Sequence, residues 1–224
     1  MAEDVRILQS VKPRLPQRPV IFDVGASDGR WTRQFLQLFP RATAFLFEPG
    51  TAYADGMQAT LNSHKGLKLF PIALGDRNGP AVFHVLPNPY GSTTVDWDGA
   101  GEKLTIVPMR TIDSLIDEGA ITQPDLIKMD IQAGELAALK RAIATLPNVR
   151  ALCLETMIVK GYGAATPLIA DLMEFLRPFQ FQLFDVGMQY RYDDGTLYGI
   201  DTWFVNEALV KSKVRKSWLN FRLK

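Results

Sequence analysis

Residues that could bind a small ligand stand where the first apolar run of the sequence ends. The run PVIFDV continues directly into GASDG, so Asp23, Gly25 and Gly29 form a D-x-G-x-x-x-G pattern at an expected strand-to-helix turn. Gly25 would let the backbone turn tightly and approach a ligand, and Gly29 would permit close packing where the helix starts. Many α/β proteins use a glycine turn as a simple connection, so the pattern alone is weak evidence for a binding site.

A second acid strengthens the prediction of a nucleoside site. The run ATAFLFE ends in Glu48, which lies 25 residues after Asp23 and immediately before Pro49. A carboxylate at the tip of a second strand can accept hydrogen bonds from both hydroxyls of a ribose. A solvated loop acid or a helix-terminal charge is the alternative, but the combination with Asp23 favours the ligand site.

The residues of the turn distinguish between two nucleoside ligands. A dinucleotide fingerprint has the form G-x-G-x-x-G, whereas Ser27 occupies the middle glycine position here. The negative charge of Asp28 would oppose a diphosphate at a helix N-terminus. S-adenosylmethionine has no phosphate and carries a sulfonium and an ammonium group, so an acid-rich turn suits it better than NAD. The sequence therefore predicts S-adenosylmethionine as the cofactor and includes Ala26, beside Gly25, in its site.

The order of the apolar runs indicates the fold that would position these residues. Short β-prone runs alternate with segments whose apolar residues recur every three or four positions, as in repeated βα units with a mostly parallel sheet. GRWTRQFLQLF and AGELAALKRAIATL are the expected helices between strands. The prediction is a Rossmann-like, doubly wound α/β fold with a mostly parallel seven-stranded sheet and an antiparallel edge hairpin. The expected parallel strands are 19–24, 42–48, 66–74, 125–131 and 149–155, and the hairpin strands are 179–186 and 197–205.

This topology places further acids at the same edge of the sheet. Ligands of open α/β sheets bind beyond the carboxyl ends of the strands, where the strand order reverses. Asp130 ends the fourth parallel strand, so it could orient a ligand's amino group or accept a proton from a reacting hydroxyl. Glu135 follows at the start of the next helix, where it could serve the reaction or only complement the helix dipole. Glu155 ends the fifth strand and could reach the acceptor pocket.

The segment 75–110 interrupts the βα rhythm and contains more candidates. Its turn signals separate short β-prone pieces, which predicts an excursion over the carboxyl edge of the sheet. Tyr90, Ser92 and Thr93 could contact donor or acceptor there, or could only shape a turn. Asp76 could lie near an adenine base or could only shape the turn that follows it.

Composition narrows the classes of protein that remain. The 224-residue chain is 47% hydrophobic and 22% charged, and its formal net charge is +1. These values are ordinary for one soluble domain and give no overall field that would attract nucleic acid. The lone Cys153 excludes an internal disulfide, and neither His64 nor His84 has a metal-ligand pattern around it, so no metal is expected. No apolar stretch suits a bilayer span or a signal peptide, so a cytoplasmic protein is expected.

A single domain is expected over 1–224, with an N-terminal extension at 1–18 and a basic tail at 207–224. The tail contains no acid from Lys211 to Lys224. It is expected to be a solvated terminal helix or an amphipathic helix that docks on the domain, and contact with an anionic membrane is the alternative. A nucleic-acid-binding module would rest on this tail alone. The oligomeric state is left open.

Several motifs occur in the order found in a known family. VIFDVGASDGRWT, FLFEP, PIALGD, TIDSL and DLIKMDIQAGELAALKRA resemble the FkbM family of methyltransferases, and NPYGSTT resembles its Gly-x-Ser-Ser-like loop. The resemblance implies a class I methyltransferase fold, S-adenosylmethionine as donor, and O-methylation of a hydroxyl on a sugar, glycolipid or natural product. The family more often reads D-V-[EQ]-G-A-E where this chain has DIQAGE, so Gly and Ala are exchanged while Asp130 and Glu135 remain in place. An NAD-linked oxidoreductase is the alternative enzyme.

Overall fold

The computed structural model describes residues 2–96 and 103–210 of the chain, which form ten strands and six α-helices. The strands in chain order are β1 (Val20–Val24), β2 (Thr43–Phe47), β3 (Leu67–Phe70), β4 (Ala73–Leu74), β5 (Gly79–Val85), β6 (Lys103–Arg110), β7 (Leu126–Met129), β8 (Ala151–Met157), β9 (Phe181–Arg191) and β10 (Leu197–Asn206). The helices are α1 (Ala2–Val11), α2 (Arg30–Leu38), α3 (Ala54–Ser63), α4 (Ile112–Asp117), α5 (Glu135–Leu139) and α6 (Ile169–Leu176).

The central sheet of the described residues has the strand order β3-β2-β1-β7-β8-β10-β9. Strands β1, β2, β3, β7 and β8 run parallel, and β10 pairs antiparallel with both β8 and β9. The order reverses between β1 and β7, because the chain first builds the sheet outward through β2 and β3 and then returns to the other side of β1. The predicted Rossmann-like sheet with an antiparallel edge hairpin is confirmed.

Apolar side chains cover both faces of this sheet. Successive residues of a strand point to opposite faces, so Phe22 packs with Leu139 of α5 on one face while Ile21 packs with Leu8 of α1 and Phe35 of α2 on the other. All seven residues of β8 are buried, as expected for a strand covered on both faces. The segment 1–18, expected as an extension, therefore contributes a helix to the core.

The third expected strand, 66–74, is wrong as a single element. Pro71 has no N–H to continue a ladder, and the chain turns there, with the Ile72 N–H donating to the Phe70 carbonyl at 2.8 Å. β3 stays in the central sheet beside β2, whereas β4 joins a small second sheet of order β4-β6-β5. The segment 75–110 thus contributes an antiparallel pair, β5 and β6, to that second sheet.

The helix expected over AGELAALKRAIATL is shorter than the apolar pattern indicates. Regular α-helix ends at Leu139, and the following turns form bonds of shorter span, such as Ala142 N–H to the Leu139 carbonyl at 3.0 Å. Beyond this end, the Asp113 carboxylate accepts the N–H groups of Ala144 and Thr145 at 3.0 and 3.1 Å. A side chain from α4 therefore stabilises the irregular segment that follows α5.

The predicted basic tail lies almost wholly outside the described residues. Only 207–210 of it belong to the described chain, where they form a turn after β10. Among the described residues, no helix has the length and apolar character needed to cross a membrane.

Candidate active site

A cavity of about 760 Å³ opens at the carboxyl ends of the parallel strands, beneath the small second sheet. Its size falls within the range of small-molecule sites. Residues after β1, β2 and β7 form its floor, and Phe83 of β5 and Ile106 of β6 contribute to its roof. The cavity therefore lies beside the reversal of strand order, where an open α/β sheet is expected to bind its ligands.

The glycine turn after β1 is fixed by the protein backbone itself. The N–H groups of Gly25 and Ala26 both donate to the Phe47 carbonyl, at 2.9 and 3.2 Å. Gly25 has φ +73°, and a Cβ atom built on it would lie 1.9 Å from the Asp130 carbonyl oxygen. Gly25 lines the cavity and makes the tight turn that was predicted, and glycine is also required there because the Asp130 carbonyl, just after β7, lies so close. Gly29 packs against Thr60, as predicted, and does not line the cavity.

Glu48 lies in the cavity wall with both carboxylate oxygens anchored. One oxygen accepts the Ser27 N–H at 2.8 Å, and the other accepts the Gly50 N–H at 2.7 Å. Burial raises the pKa of Glu48 above its usual value, although these two backbone donors oppose that shift. Each carboxylate oxygen can accept a further bond, so the carboxylate is oriented and still able to receive two hydroxyl groups.

Two buried donors in the cavity wall have no partner among the described residues. They are the hydroxyl of Ser27 and the indole N–H of Trp31. Buried polar groups are nearly always hydrogen-bonded in folded proteins. A polar ligand in this cavity would satisfy them, so the residues present fit a small molecule with hydrogen-bond acceptors.

Lys128, which the sequence analysis missed, connects the turn to the acids of the site. Its ammonium group donates to the Gly25 carbonyl at 2.8 Å and lies 3.4 Å from Asp23 Oδ1 and 3.5 Å from Asp130 Oδ2. Burial lowers the pKa of Lys128, but Asp130 and Asp23 outweigh that effect and hold it above its usual value. The signal in the sequence was a lysine within the apolar run DLIKMDI, two residues before Asp130 and thus on the same face of the strand.

Two predicted cofactor residues lie outside the cavity wall. Asp23 is fully buried beneath the turn, where it accepts a hydrogen bond from the Thr32 hydroxyl at 2.6 Å and faces Lys128. It can act on a ligand only by holding the turn in place. Asp76 lies in a separate hollow and pairs with Arg77 at 3.0 Å, so the structure does not bring it to the predicted adenine site.

Asp130 and Glu155 both line the cavity and share one neighbour. The side-chain amide of Gln132 donates to Asp130 Oδ1 at 2.9 Å and to a carboxyl oxygen of Glu155, and its own oxygen accepts the Tyr162 hydroxyl. Burial raises the pKa of Asp130, yet Lys128 and the hydrogen bonds from Glu155 and Gln132 bring it below its usual value. Burial and the negative charge of Asp130 raise the pKa of Glu155 well above its usual value.

The exchange of glycine and alanine in DIQAGE has a visible conformational cost. Gln132 and Ala133 adopt φ angles of +56° and +72°, so Ala133 is left-handed at the position where the family pattern has glycine. Each such residue costs on the order of 1–2 kcal/mol. Thr93 helps to hold the turn, because its hydroxyl donates to the Gln132 carbonyl at 2.8 Å.

The loop that contains Tyr90, Ser92 and Thr93 forms part of the cavity wall, in the predicted place. Ser92 uses its hydroxyl to accept the Leu86 N–H at 3.2 Å, so it also shapes the loop. Tyr90 packs against Tyr53 with ring centroids 4.7 Å apart, on the Glu48 side of the cavity.

The hairpin side of the cavity contains residues that no sequence pattern indicated. Asp201 of β10 accepts the Tyr190 hydroxyl at 3.1 Å, and Met188, Cys153 and Trp31 line the same region. Their proximity depends on the register between β9 and β10 and on the packing of α2, neither of which the sequence pattern specifies.

Glu135 does not line the cavity but closes the turn after β7. It is 2% exposed, and its Oε1 accepts the Ile131 N–H at 2.8 Å. Burial raises its pKa to about 7, against a usual value of 4.5, although its backbone hydrogen bonds oppose the shift. The geometry assigns it to the support of Asp130 and Gln132 and not to contact with a ligand.

We expect the Glu135→Gln variant to gain stability relative to the wild type as the pH rises. Because the folded-state pKa of about 7 is above the usual 4.5, Glu135 stabilises the fold fully below about pH 4.5 and loses this effect as the pH passes 7. Between about pH 5 and about pH 8, the difference in free energy of unfolding should shift by about 2–3 kcal/mol towards the variant. Urea unfolding of both proteins at several pH values measures this difference in free energy of unfolding. Glu174→Gln, at an exposed position, is the control, and a pH-independent difference for Glu135→Gln would contradict the prediction.

Known structures share this fold. A crystal structure of a methyltransferase FkbM from Methylobacillus flagellatus KT matches with a TM-score of 0.53 and 17% identity, over 83% of this chain and 44% of that chain. A precorrin-6y C5,15-methyltransferase from Geobacter metallireducens GS-15 matches with a TM-score of 0.51 and 12% identity, over 90% and 86%. The fold is therefore the Rossmann-like fold of class I methyltransferases.

Sequence comparison identifies the family within that class. Residues 23–183 match the model of the methyltransferase FkbM domain. A 2-O-methyltransferase NoeI of Sinorhizobium fredii (strain NBRC 101917 / NGR234) is 30% identical over 179 residues, which cover 72% of each chain. The chain belongs to the FkbM methyltransferase family, as the motifs predicted. The comparisons do not favour an NAD-linked oxidoreductase or a nucleic-acid-binding module.

Proposed function

We propose that the protein uses S-adenosylmethionine to methylate a hydroxyl group of a carbohydrate, glycolipid or natural product. The observation that carries the donor is Glu48, whose two oxygens are oriented by the Ser27 and Gly50 N–H groups at the wall of the cavity. Two adjacent hydroxyls, as on a ribose, match this pair of acceptors. The 2-O-methyltransferase relative supports a hydroxyl as the group that is methylated.

The distribution of charge supports this donor over a dinucleotide. The Asp28 carboxylate occupies the N-terminus of α2, where it accepts the Arg30 N–H at 2.8 Å and lies 3.2 Å from Arg33. A diphosphate would compete with this carboxylate for the same place. Asp130 and Glu155 lie further along the cavity and favour a positively charged ligand group.

Different residues of the chain would bind the donor and position the acceptor in the proposed reaction. S-adenosylmethionine, when bound, would supply the transferable methyl group. Glu48 would hold its ribose, and Asp130 would orient its ammonium group. The surface around Tyr190 and Asp201 would position the acceptor, since methyl transfer requires the nucleophile to lie in line with the bond that breaks.

Calorimetric titration with S-adenosylmethionine tests the donor assignment. We expect Glu48→Ala to weaken binding by about 10- to 100-fold, because hydrogen bonds to charged groups contribute about 1.5–3 kcal/mol. Asp55→Ala is the matched control, since Asp55 is exposed at the start of α3 and should leave the affinity unchanged. Wild-type affinity in folded Glu48→Ala, or preferential binding of NAD by the wild type, would contradict the assignment.

A further inference from the structure

Two carboxyl groups in the cavity are held together by a single amide. Gln132 donates one N–H to Asp130 and the other to Glu155, and the Tyr162 hydroxyl donates to the oxygen of the same amide. The amide's orientation is therefore fixed by three partners. The carboxyl groups of Asp130 and Glu155 therefore both lie within hydrogen-bond distance of one amide nitrogen. Two carboxyl groups that share a buried site cannot both ionise easily, so this pair is built to hold one proton.

The surrounding charges determine which carboxyl group holds it. Lys128 lies 3.5 Å from Asp130 and stabilises its ionised form. Glu155 is 6% exposed, and its charged form is opposed by burial and by neighbouring acids. The titratable groups that face the pair are Asp23 on β1, Lys128 on β7, Glu135 on α5, Tyr162 in the loop after β8, Tyr190 on β9, and Tyr198 and Asp201 on β10. Lys128 is the cation in this set, and it faces Asp130.

We propose that Asp130 and Glu155 share one proton in the ligand-free protein, that binding of the cationic donor expels this proton, and that Glu155 is then the base for the acceptor hydroxyl. This inference rests on the proposed function. In the reaction, the hydroxyl O–H bond breaks and its proton passes to Glu155. A C–O bond forms to the methyl carbon, and the C–S bond breaks with its electron pair remaining on sulfur.

The environment assigns different roles to the two acids. Asp130 stays ionised beside Lys128, so it is a weak base but a constant negative charge for the donor's ammonium group. Glu155 binds a proton more readily, which is what a general base requires. In pairs of carboxyl groups whose surroundings favour opposite protonation states, one group commonly stays ionised while the other transfers the proton.

Proton release on donor binding tests the proposal without an acceptor. S-adenosylmethionine is titrated calorimetrically into the protein at about pH 7, in buffers with different ionisation enthalpies. We expect the wild type and the exposed control Glu174→Gln to release up to about one proton per donor bound. Glu155→Gln should bind the donor more weakly than wild type by roughly tenfold, because its neutral amide cannot become the carboxylate that the donor favours, and it should release none. Equal proton release by Glu155→Gln and wild type, or no release by a wild type that binds the donor, would overturn the proposal.

Infrared spectra of the Glu48→Gln/Glu135→Gln double variant provide a measurement that does not depend on the folding of Glu155→Gln. Burial raises the pKa of both Glu48 and Glu135, and neither can contribute a protonated-carboxyl band in this variant. A band that persists at about pH 7 and disappears when saturating S-adenosylmethionine is added therefore supports the shared proton. Absence of the band would overturn it. On a glycoside that the wild type methylates, Glu155→Gln turnover should fall by about 100- to 10,000-fold. Failure of the wild type to bind S-adenosylmethionine would instead overturn the proposed function.

Discussion

Replacing Lys128 with methionine is expected to lower the free energy of unfolding by about 3–5 kcal/mol. Lys128 is 8% exposed, and its ammonium group lies between Asp23, which is fully buried, and Asp130. Methionine fills much of the same volume but leaves Asp23 without its cation and the Gly25 carbonyl without its donor. Breaking one side of a buried ion pair is costly because the remaining charge stays desolvated. Denaturant unfolding followed by circular dichroism measures the loss.

Two variants separate this effect from a general loss of lysine. Lys140→Met changes an exposed lysine just beyond α5 and should alter the free energy of unfolding by no more than about 0.5 kcal/mol. Adding Asp23→Asn to Lys128→Met removes the stranded charge and should restore at least about 1 kcal/mol. If Lys128→Met proved as mild as Lys140→Met, the ion-pair account of the turn would be wrong.

Gly25→Ala is expected to destabilise the protein by at least about 4 kcal/mol, or to prevent soluble expression. The added methyl group would lie 1.9 Å from the Asp130 carbonyl oxygen, and neither β1 nor β7 can move apart without breaking the sheet. The yield of soluble protein and denaturant unfolding followed by circular dichroism measure the outcome.

Gly195→Ala is the matched control for the steric part of that loss. Gly195 has φ +86°, close to the +73° of Gly25, but a Cβ atom there would meet nothing within 4 Å. Its variant should lose only the conformational cost of a left-handed alanine, about 1–2 kcal/mol. A similar loss for both variants would show that backbone conformation, and not contact with β7, requires glycine at position 25.

The sequence predicted the parts of the fold that follow from local pattern. The apolar runs of β1 and β2 end in Asp23-Val24 and in Glu48. The carboxyl ends of both strands lie at the cavity, because parallel strands place their carboxyl ends at one edge of the sheet. The same rule located Asp130 and Glu155. The prediction of a single strand over 66–74 was wrong, because the apolar run continues through Pro71 and hides the point where the chain passes from one sheet to the other.

The parts that could not be predicted depend on contacts between distant segments. Lys128 of β7 meets the Gly25 carbonyl at the end of the neighbouring strand β1, and Asp201 meets Tyr190 only through the register of the hairpin. Gln132 was read as part of a motif, but its role comes from a left-handed turn that directs it towards Asp130 and Glu155. Such placement is set by tertiary packing and has no periodic signal in the sequence.

The acids that line the cavity around Lys128 would treat the methyl donor and its demethylated product differently. Glu48 would hold the ribose of both molecules alike, but Asp130 and Glu155 also respond to the positive charge that sulfur carries before transfer and loses afterwards. Coulomb interactions between close charges are large compared with thermal energy when water is excluded. With S-adenosylmethionine as the donor, as proposed, this lining would favour replacement of the spent molecule by a fresh one and would oppose the accumulation of product-inhibited enzyme.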